Sequence, residues 1–458
     1  MTAASSSPAI ADAPGWRERV VLLLLTGLAL AVRLFHVGQW SWSAEEAVTW
    51  RAITQPLAGV DGFASSADSG SPLFYLLLRW LLENDLLRSA TQGSLRLLPV
   101  FAGVCTVPLL ALAARPWLGA RGALLAALLL AIHPEHVLAS QTAAPLVVAM
   151  PLQLAAVALA VRRRFVASAV LALLAGLCGP GGWFAFAGLA AAALPAQGLR
   201  IALPLVVIVA LPQWLLGMSQ VGVVVLVPAL LAALAAPALS RVLWFAAAAP
   251  AAWAWIGGDG AQSAAFRSTL PLLVVFAAHG VAVLTGWLLA PSASRGVWRY
   301  AGLATPGLLV GLGLAVPMFL DLTLHRGRRP EWQQAAQVAL RTVTAGGRLV
   351  VGAAAGHGPL LCYLRPEHHR SRNDDPHPRR IVQELPLRDG EAALRALLAA
   401  SGPARALLVL TTGERDVLAA QPAAAVLLQT AFECKAVLPG PRPGHDEAVL
   451  VWLARAGG

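Results

Sequence analysis

Apolar runs dominate this chain, and their lengths carry the first structural information. Residues 20–37 form one such run behind Arg17 and Arg19. Others cover 97–114, 122–139, 144–161, 165–178, 182–197, 201–218, 221–238, 242–257, 269–290 and 301–320. A helix crosses the hydrocarbon core of a bilayer with about 20 residues, so the pattern predicts about eleven crossings. Arg33 and His36 directly follow its apolar stretch Val20 to Val32 and many runs come after it, which marks it as an uncleaved first span rather than a secretory signal. Residues 1–16, rich in Ser, Ala and Pro, read as a disordered cytoplasmic N-terminus, and 17–325 as the transmembrane domain.

The pattern breaks in two places. Residues 38–94 make a long first extracytoplasmic loop, and loops of that length in a compact domain are usually functional. Within it a short helix is predicted from Ala44 to about Thr54. The apolar piece Pro72 to Leu82 is too short to span and fits the membrane interface, where Trp40, Trp42, Trp50 and Trp80 would lie at headgroup level.

The second break falls near Arg326. Glu331 to Val343 places Trp332, Ala335, Ala336, Val338 and Ala339 on one side of a helix. Gly346-Gly347 then turns into a strand over Arg348 to Val351. Glu391 to Ala400 reads as a helix, and Ala406 to Thr411 and Ala448 to Leu453 as strands. Alternating strands and helices predict a small α/β domain over 326–458, outside the membrane. The charged run His368 to Arg380, with Asp374, Asp375 and His377, reads as a solvated loop rather than a metal site.

Composition agrees with the runs. Only 12% of the 458 residues are charged, against about a quarter in an ordinary soluble fold, and 58% are hydrophobic. The net charge of +11 comes from arginines in short clusters between apolar runs, not from one basic stripe, so nucleic acid is not an expected partner. With the N-terminus cytoplasmic, Arg115, Arg121, Arg162-Arg163-Arg164, Arg200, Arg241, Arg295 and Arg299 all fall in cytoplasmic loops. Glu45, Glu46, Asp61, Asp68, Glu83, Asp85, Glu135 and Asp259 fall in the opposite ones. This is the positive-inside pattern. It places the chain in the plasma (inner) membrane with the C-terminal domain extracytoplasmic. The four cysteines show no metal-ligand spacing; Cys362 and Cys434 either pair in an oxidising compartment or are small buried side chains.

Candidate chemistry gathers in the first third. Glu45 and Glu46 follow the first span at its outer end, where a carboxylate could take the proton of an attacking hydroxyl. Adjacent helical residues point about 100° apart, so at most one of them faces a reacting centre. Ser43-Ala44-Glu45-Glu46 is also a capping box, and acidic residues in a first turn suit the helix dipole in any protein. His133, Glu135 and His136 lie beside Ser140-Gln141 and could meet a sugar or a divalent cation. His279 lies within an apolar run, as a functional group or as a neutral histidine bonded to a neighbouring helix. Cys178-Gly179-Pro180-Gly181-Gly182 is a tight turn; it lacks the Lys of a phosphate-binding loop.

Taken in order, these segments resemble the family-39-related membrane glycosyltransferases, which include protein mannosyltransferases and the bacterial aminoarabinose transferase, all on the C-type glycosyltransferase (GT-C) fold. The resemblance aligns Glu45-Glu46 with the family's Asp-Glu pair and Ser71-Pro72-Leu73-Phe74-Tyr75 with its His-Pro-Pro-Leu-Tyr-Tyr segment. It aligns Arg96-Leu97-Leu98-Pro99 with Arg-Leu-Pro, and Ser140-Gln141-Thr142-Ala143-Ala144-Pro145 with Ser-Gln-x-x-Arg-Pro. The tail resembles the family's extracytoplasmic domain from Glu331-Trp332 onward.

The resemblance implies a polyprenyl-phosphate-sugar donor and a lipid, glycan or protein acceptor. It further implies Glu45 or Glu46 as base, Arg96 and Arg51 on the donor phosphate, and Tyr75 and Gln141 lining the cavity. It implies no certain cofactor, and a divalent cation is compatible. The sequence departs from the family at Glu45 in place of Asp, at Gly70-Ser71 in place of His, and at Ala144 in place of Arg. The last removes a cation that would stabilise the leaving phosphate. A catalytically inactive membrane protein on the same fold, binding lipid-linked glycan or scaffolding an envelope assembly, is therefore the alternative. A transporter fits less well, because the apolar runs hold few charges.

Overall fold

The computed structural model describes residues 15–54, 71–87, 91–162, 164–178, 296–323, 332–344, 348–351, 385–401, 406–438 and 448–455, with some positions in 270–281 and 359–363. The expected runs between 182 and 257 and the loop His368 to Arg380 lie outside the described residues. The chain divides into two compact units: residues 1–35, 57–78 and 96–320, and residues 36–56, 79–95 and 321–458.

The first unit is helical. Helix α1 spans Trp16–Leu34, and α2 (Ala44–Thr54) and α3 (Pro72–Glu83) follow. Next come α4 (Gln92–Ala131), α5 (Pro134–Ser140), α6 (Leu146–Val161), α7 (Phe165–Cys178) and α8 (Gly296–Thr323). Helix α2 belongs to the second unit. At 19 residues, α1 is about 28 Å long by its rise of 1.5 Å per residue, close to the thickness of a hydrocarbon core. Among the described residues one helix, α4, is long and apolar enough to cross a membrane by length and composition.

Helix α4 contains a break. Gly119 has φ +66°, the left-handed region that a residue without Cβ enters at little cost. The break falls between Arg115 and Arg121, where the sequence reading separates two spans. The second span was expected to continue to residue 139; it stops at Ala131, and α5 starts afresh at Pro134. Pro134 has no N–H to give the preceding turn and its ring crowds it, so a continuous helix cannot pass through.

The core of this unit is built from Val107, Leu110, Ala126, Leu129, Leu130 and Leu154, with Val274, Val275 and Leu314 packed among them. Large apolar side chains also face outward, among them Leu23 and Leu24 of α1, Phe101 of α4, Val166 of α7 and Phe319 of α8. A soluble surface rarely carries so many together. Glu18 of α1 and Arg115 of α4 form an ion pair at 3.0 Å, so the start of α1 lies beside the turn region of α4.

The second unit holds a four-stranded sheet. Its elements are α9 (Trp332–Thr344), β1 (Arg348–Val351), α10 (Gly390–Ser401), β2 (Ala406–Thr411), α11 (Thr412–Ala419), α12 (Pro422–Ala431), β3 (Phe432–Leu438) and β4 (Val449–Ala454). Strand order is β1-β2-β4-β3. The β1-β2 pair is parallel with Arg348 opposite Ala406; β2-β4 and β4-β3 are antiparallel, with Val409 opposite Val451 and Phe432 opposite Ala454.

Strand β2 is buried at every position, and the period of two divides it between two layers. Leu407 and Val409 pack with Trp332, Ala335, Ala336 and Ala339 of α9. Ala406, Leu408 and Leu410 pack with Leu394 and Leu397 of α10 and with Leu418, Leu428 and Phe432. The two predicted helices and three predicted strands of this tail are present to within a residue or two.

Three elements were not foreseen: α11, α12 and β3. Strand β3 is an edge strand with Glu433 and Lys435 exposed and a bulge between Cys434 and Ala436, which erases the alternation that betrays a strand. None of the four cysteines is in a disulfide; Cys362 is buried and Cys434 exposed.

Helix α11 did carry a signal in its Thr411-x-x-Glu414 capping box. The Glu414 N–H donates to Thr411 Oγ1 at 3.2 Å, and the Thr411 N–H to Glu414 Oε2 at 2.9 Å. Thr411→Ala is expected to lower the stability of this unit by about 1 kcal/mol, read as an earlier thermal transition of the protein.

Candidate functional site

The carboxylate pair divides into two different environments. Ser43 caps α2: the Glu46 N–H donates to Ser43 Oγ at 3.2 Å, and the Ser43 N–H donates to Glu46 Oε2 at 3.0 Å. The next bond, from the Ala47 N–H to the Ser43 carbonyl at 3.0 Å, starts the helical ladder. Glu46 is fully buried in this reciprocal cap, whereas Glu45, one position earlier, is exposed. One residue step on the helix thus separates a carboxylate that accepts from the Ser43 backbone N–H from one that faces outward.

Just upstream the chain is held by the C-terminal part of the same unit. The Trp42 N–H donates to the Tyr363 hydroxyl oxygen at 3.0 Å, and the Gln92 side-chain amide donates to the same oxygen. The Gln333 N–H lies 3.4 Å from Ser41 Oγ. Trp40, Trp42 and Trp332 are all buried, so two of the four tryptophans expected at headgroup level pack inside protein, while Trp80 is exposed. Arg51 occupies a helical position in α2.

The other expected site residues belong to the first unit. Tyr75 is buried near the start of α3, its ring edge-on to Phe74 at 5.3 Å between centroids. Arg96 is buried in the first turns of α4. Gln141, expected to line a cavity, is fully buried; its side-chain amide donates to the carbonyls of Val32, Arg33 and Phe35 at 3.3, 3.0 and 2.9 Å. These are carbonyls at the end of α1 that lack a helical partner, so Gln141 acts as a C-terminal cap supplied from more than 100 residues away.

A residue that the sequence reading passed over lies beside it. Arg33 is fully buried at the end of α1 and donates to the carbonyls of Ala29 (3.0 Å), Ala131 (3.1 Å) and Leu130 (3.4 Å), to Ser140 Oγ (3.3 Å) and to His136 Nδ1 (2.6 Å). Leu130 and Ala131 end α4, so the guanidinium sits at the negative end of that helix dipole, takes the Ala131 carbonyl and shares the Leu130 carbonyl with the His133 N–H. Because a guanidinium can only donate, His136 Nδ1 is the acceptor and the ring hydrogen resides on Nε2.

Arg33 and Gln141 therefore bind the end of α1 reciprocally to the α4–α5 turn. In the sequence Arg33 is only a charge flanking the apolar stretch Val20 to Val32. His133 and Glu135 are buried alongside, and no group of three metal-ligating side chains occurs among the described residues.

Gly103 of α4 makes room for this clasp. A Cβ there would stand 2.1 Å from Ser140 Oγ, 2.8 Å from Ser140 Cβ and 3.2 Å from Arg33 Nε. Gly103→Ala is expected to cost about 1–3 kcal/mol by displacing both side chains, measured as a lower thermal midpoint in detergent.

No protein-family model matches the sequence, and no curated protein matches it. Among solved structures the chain is similar to ArnT from Cupriavidus metallidurans in the apo state, at 15% identity and TM-score 0.47, over 95% of this chain and 98% of that one. It is similar to the same protein bound to undecaprenyl phosphate, at 14% and 0.48, over 94% and 97%. A third is the Archaeoglobus fulgidus oligosaccharyltransferase in complex with Zn and sulfate, at 11% and 0.49, over 92% of this chain and 72% of that one. Both proteins are glycosyltransferases of the GT-C fold.

Proposed function

We propose that this chain is a multi-pass membrane glycosyltransferase that moves a sugar from a polyprenyl-phosphate sugar to an acceptor hydroxyl at the extracytoplasmic face. One observation carries the reading. Directly after the first apolar helix, a capped helix presents two adjacent carboxylates, of which Glu46 is spent on the cap and Glu45 is exposed.

In this reading Glu45 takes the proton of the acceptor hydroxyl as its oxygen attacks the anomeric carbon. The bond from that carbon to the phosphate oxygen breaks, and polyprenyl phosphate leaves with the electron pair. A single displacement inverts the anomeric centre. Arg96 and Arg51 are assigned to the donor phosphate and Tyr75 to the sugar cavity. Glu46 and Gln141 are assigned to the frame that holds α2 and α1.

The segment order that resembles the family-39-related enzymes supports the donor class. The outward apolar side chains of α1, α4, α7 and α8 support membrane insertion. The test is release of free polyprenyl phosphate from a panel of polyprenyl-phosphate sugars by the full chain in lipid nanodiscs. Release that requires Glu45 supports the enzyme. A folded protein that binds the lipid but releases none from any donor would favour the inactive binding protein.

A further inference from the structure

Tyr363 lies in the C-terminal part of the chain, 321 residues beyond Trp42, yet it holds the entrance to the helix that carries the carboxylate pair. Its hydroxyl oxygen accepts from the Trp42 backbone N–H and from the Gln92 side chain. A phenol oxygen has two acceptor sites, so both are used. Trp42 directly precedes Ser43, the residue whose hydroxyl caps α2, and Gln92 opens α4. A second tie, from the Gln333 N–H at the start of α9 to Ser41 Oγ, reaches the residue before Trp42. Residues 36–56 accordingly belong to the same compact unit as 321–458.

We infer that the C-terminal α/β domain positions the carboxylate helix, with Tyr363 as the positioning residue for Glu45. This rests on the transfer reading given above. The physical argument is geometric. The direction in which Glu45 points is set by the first turn of α2, and that turn is set by where residues 41–43 are fastened. Ser41 and Trp42 are fastened to the C-terminal domain through side-chain and backbone partners that a merely tethered domain would not supply. Losing the phenol oxygen leaves a buried Trp42 N–H without its acceptor, which loosens the cap from the upstream side.

The experiment compares the full chain in nanodiscs with Tyr363→Phe, which keeps the ring, and Ser41→Ala, which removes the second tie. Amide hydrogen exchange is read at residues 42–50 and, as an internal control, across β2 and β4. Both variants are expected to exchange about fivefold faster in 42–50 with β2 and β4 unchanged. Polyprenyl phosphate release by Tyr363→Phe is expected to fall about tenfold in kcat with KM for the donor unchanged, the pattern of a misaimed base rather than a lost binding contact.

Unchanged exchange at 42–50 overturns the clasp whether or not the protein transfers sugar. Faster exchange with undiminished kcat overturns the positioning role. Absence of release by the wild type refutes the transfer reading instead, and the exchange measurement still decides whether the domain holds the helix.

Discussion

Glu45→Gln abolishes polyprenyl phosphate release, while Glu46→Gln retains it to within roughly threefold of the wild type; this is the expected outcome of substituting the two adjacent carboxylates. The asymmetry follows from the cap. The Ser43 N–H needs an oxygen acceptor at position 46, and a glutamine amide supplies one, which is why Glu and Gln both serve in this position. A general base must be a carboxylate, and its loss costs about 100- to 10,000-fold. Glu46→Ala, which removes the acceptor, should lower stability by about 1 kcal/mol and disturb α2 as a whole. The measurement is single-turnover release of the lipid phosphate beside a thermal melt of each variant. The reverse result, with Glu46→Gln dead and Glu45→Gln active, would make the buried carboxylate the chemical one and remove the basis for the assignment made here.

The largest effect on stability is expected at Arg33. Arg33→Met keeps the length of the side chain but withdraws every donor, leaving His136 Nδ1 and the Ala131 carbonyl without the hydrogens the guanidinium gave them, while the Leu130 carbonyl keeps the His133 N–H. Each buried acceptor so abandoned costs about 1–3 kcal/mol, and together they amount to roughly 3–5 kcal/mol. Arg33→Lys retains the charge without the planar fork and cannot reach the carbonyls, the hydroxyl and the imidazole at once, so it should fall between. Size-exclusion thermostability in detergent reads both. A Met variant as stable as the wild type would mean that these groups find other partners and that the guanidinium does not hold the turn.

Much of this architecture was legible because local signals and burial agree. Ala44 to Thr54 was read as a helix from its cap, and it is one. Strand β2 was read from an unbroken apolar run, and it is the strand buried on both faces. Where one residue serves an unusual partner, the sequence was silent. Arg33 looks like a flanking charge at the end of a span until the carbonyls of Leu130 and Ala131 are brought to it. Gln141 looks like a cavity residue because Ser140-Gln141 sits in a resembling motif, whereas its amide caps α1. Tyr363 carried no local pattern at all, since its partners lie some 270 and 320 residues away in the chain. Strand β3 was missed because a bulge and exposed charges break the alternation.

The reciprocal clasp of Arg33 and Gln141 has an implication for how the protein is made. The groups that receive the guanidinium leave the ribosome about 100 residues after it, since the separations run from 97 to 107 positions. At about 5–20 residues per second, that is an interval of roughly 5–20 s. Throughout it the nascent first helix carries an arginine with no internal acceptors beyond its own turn. If α1 spans the membrane as proposed above, that side chain meanwhile snorkels to the headgroups or stays within the insertion machinery. Final seating of the first helix thus waits on the fourth and fifth, and halted chains whose emerged part ends before residue 130 should leave α1 extractable where those whose emerged part extends beyond residue 141 do not.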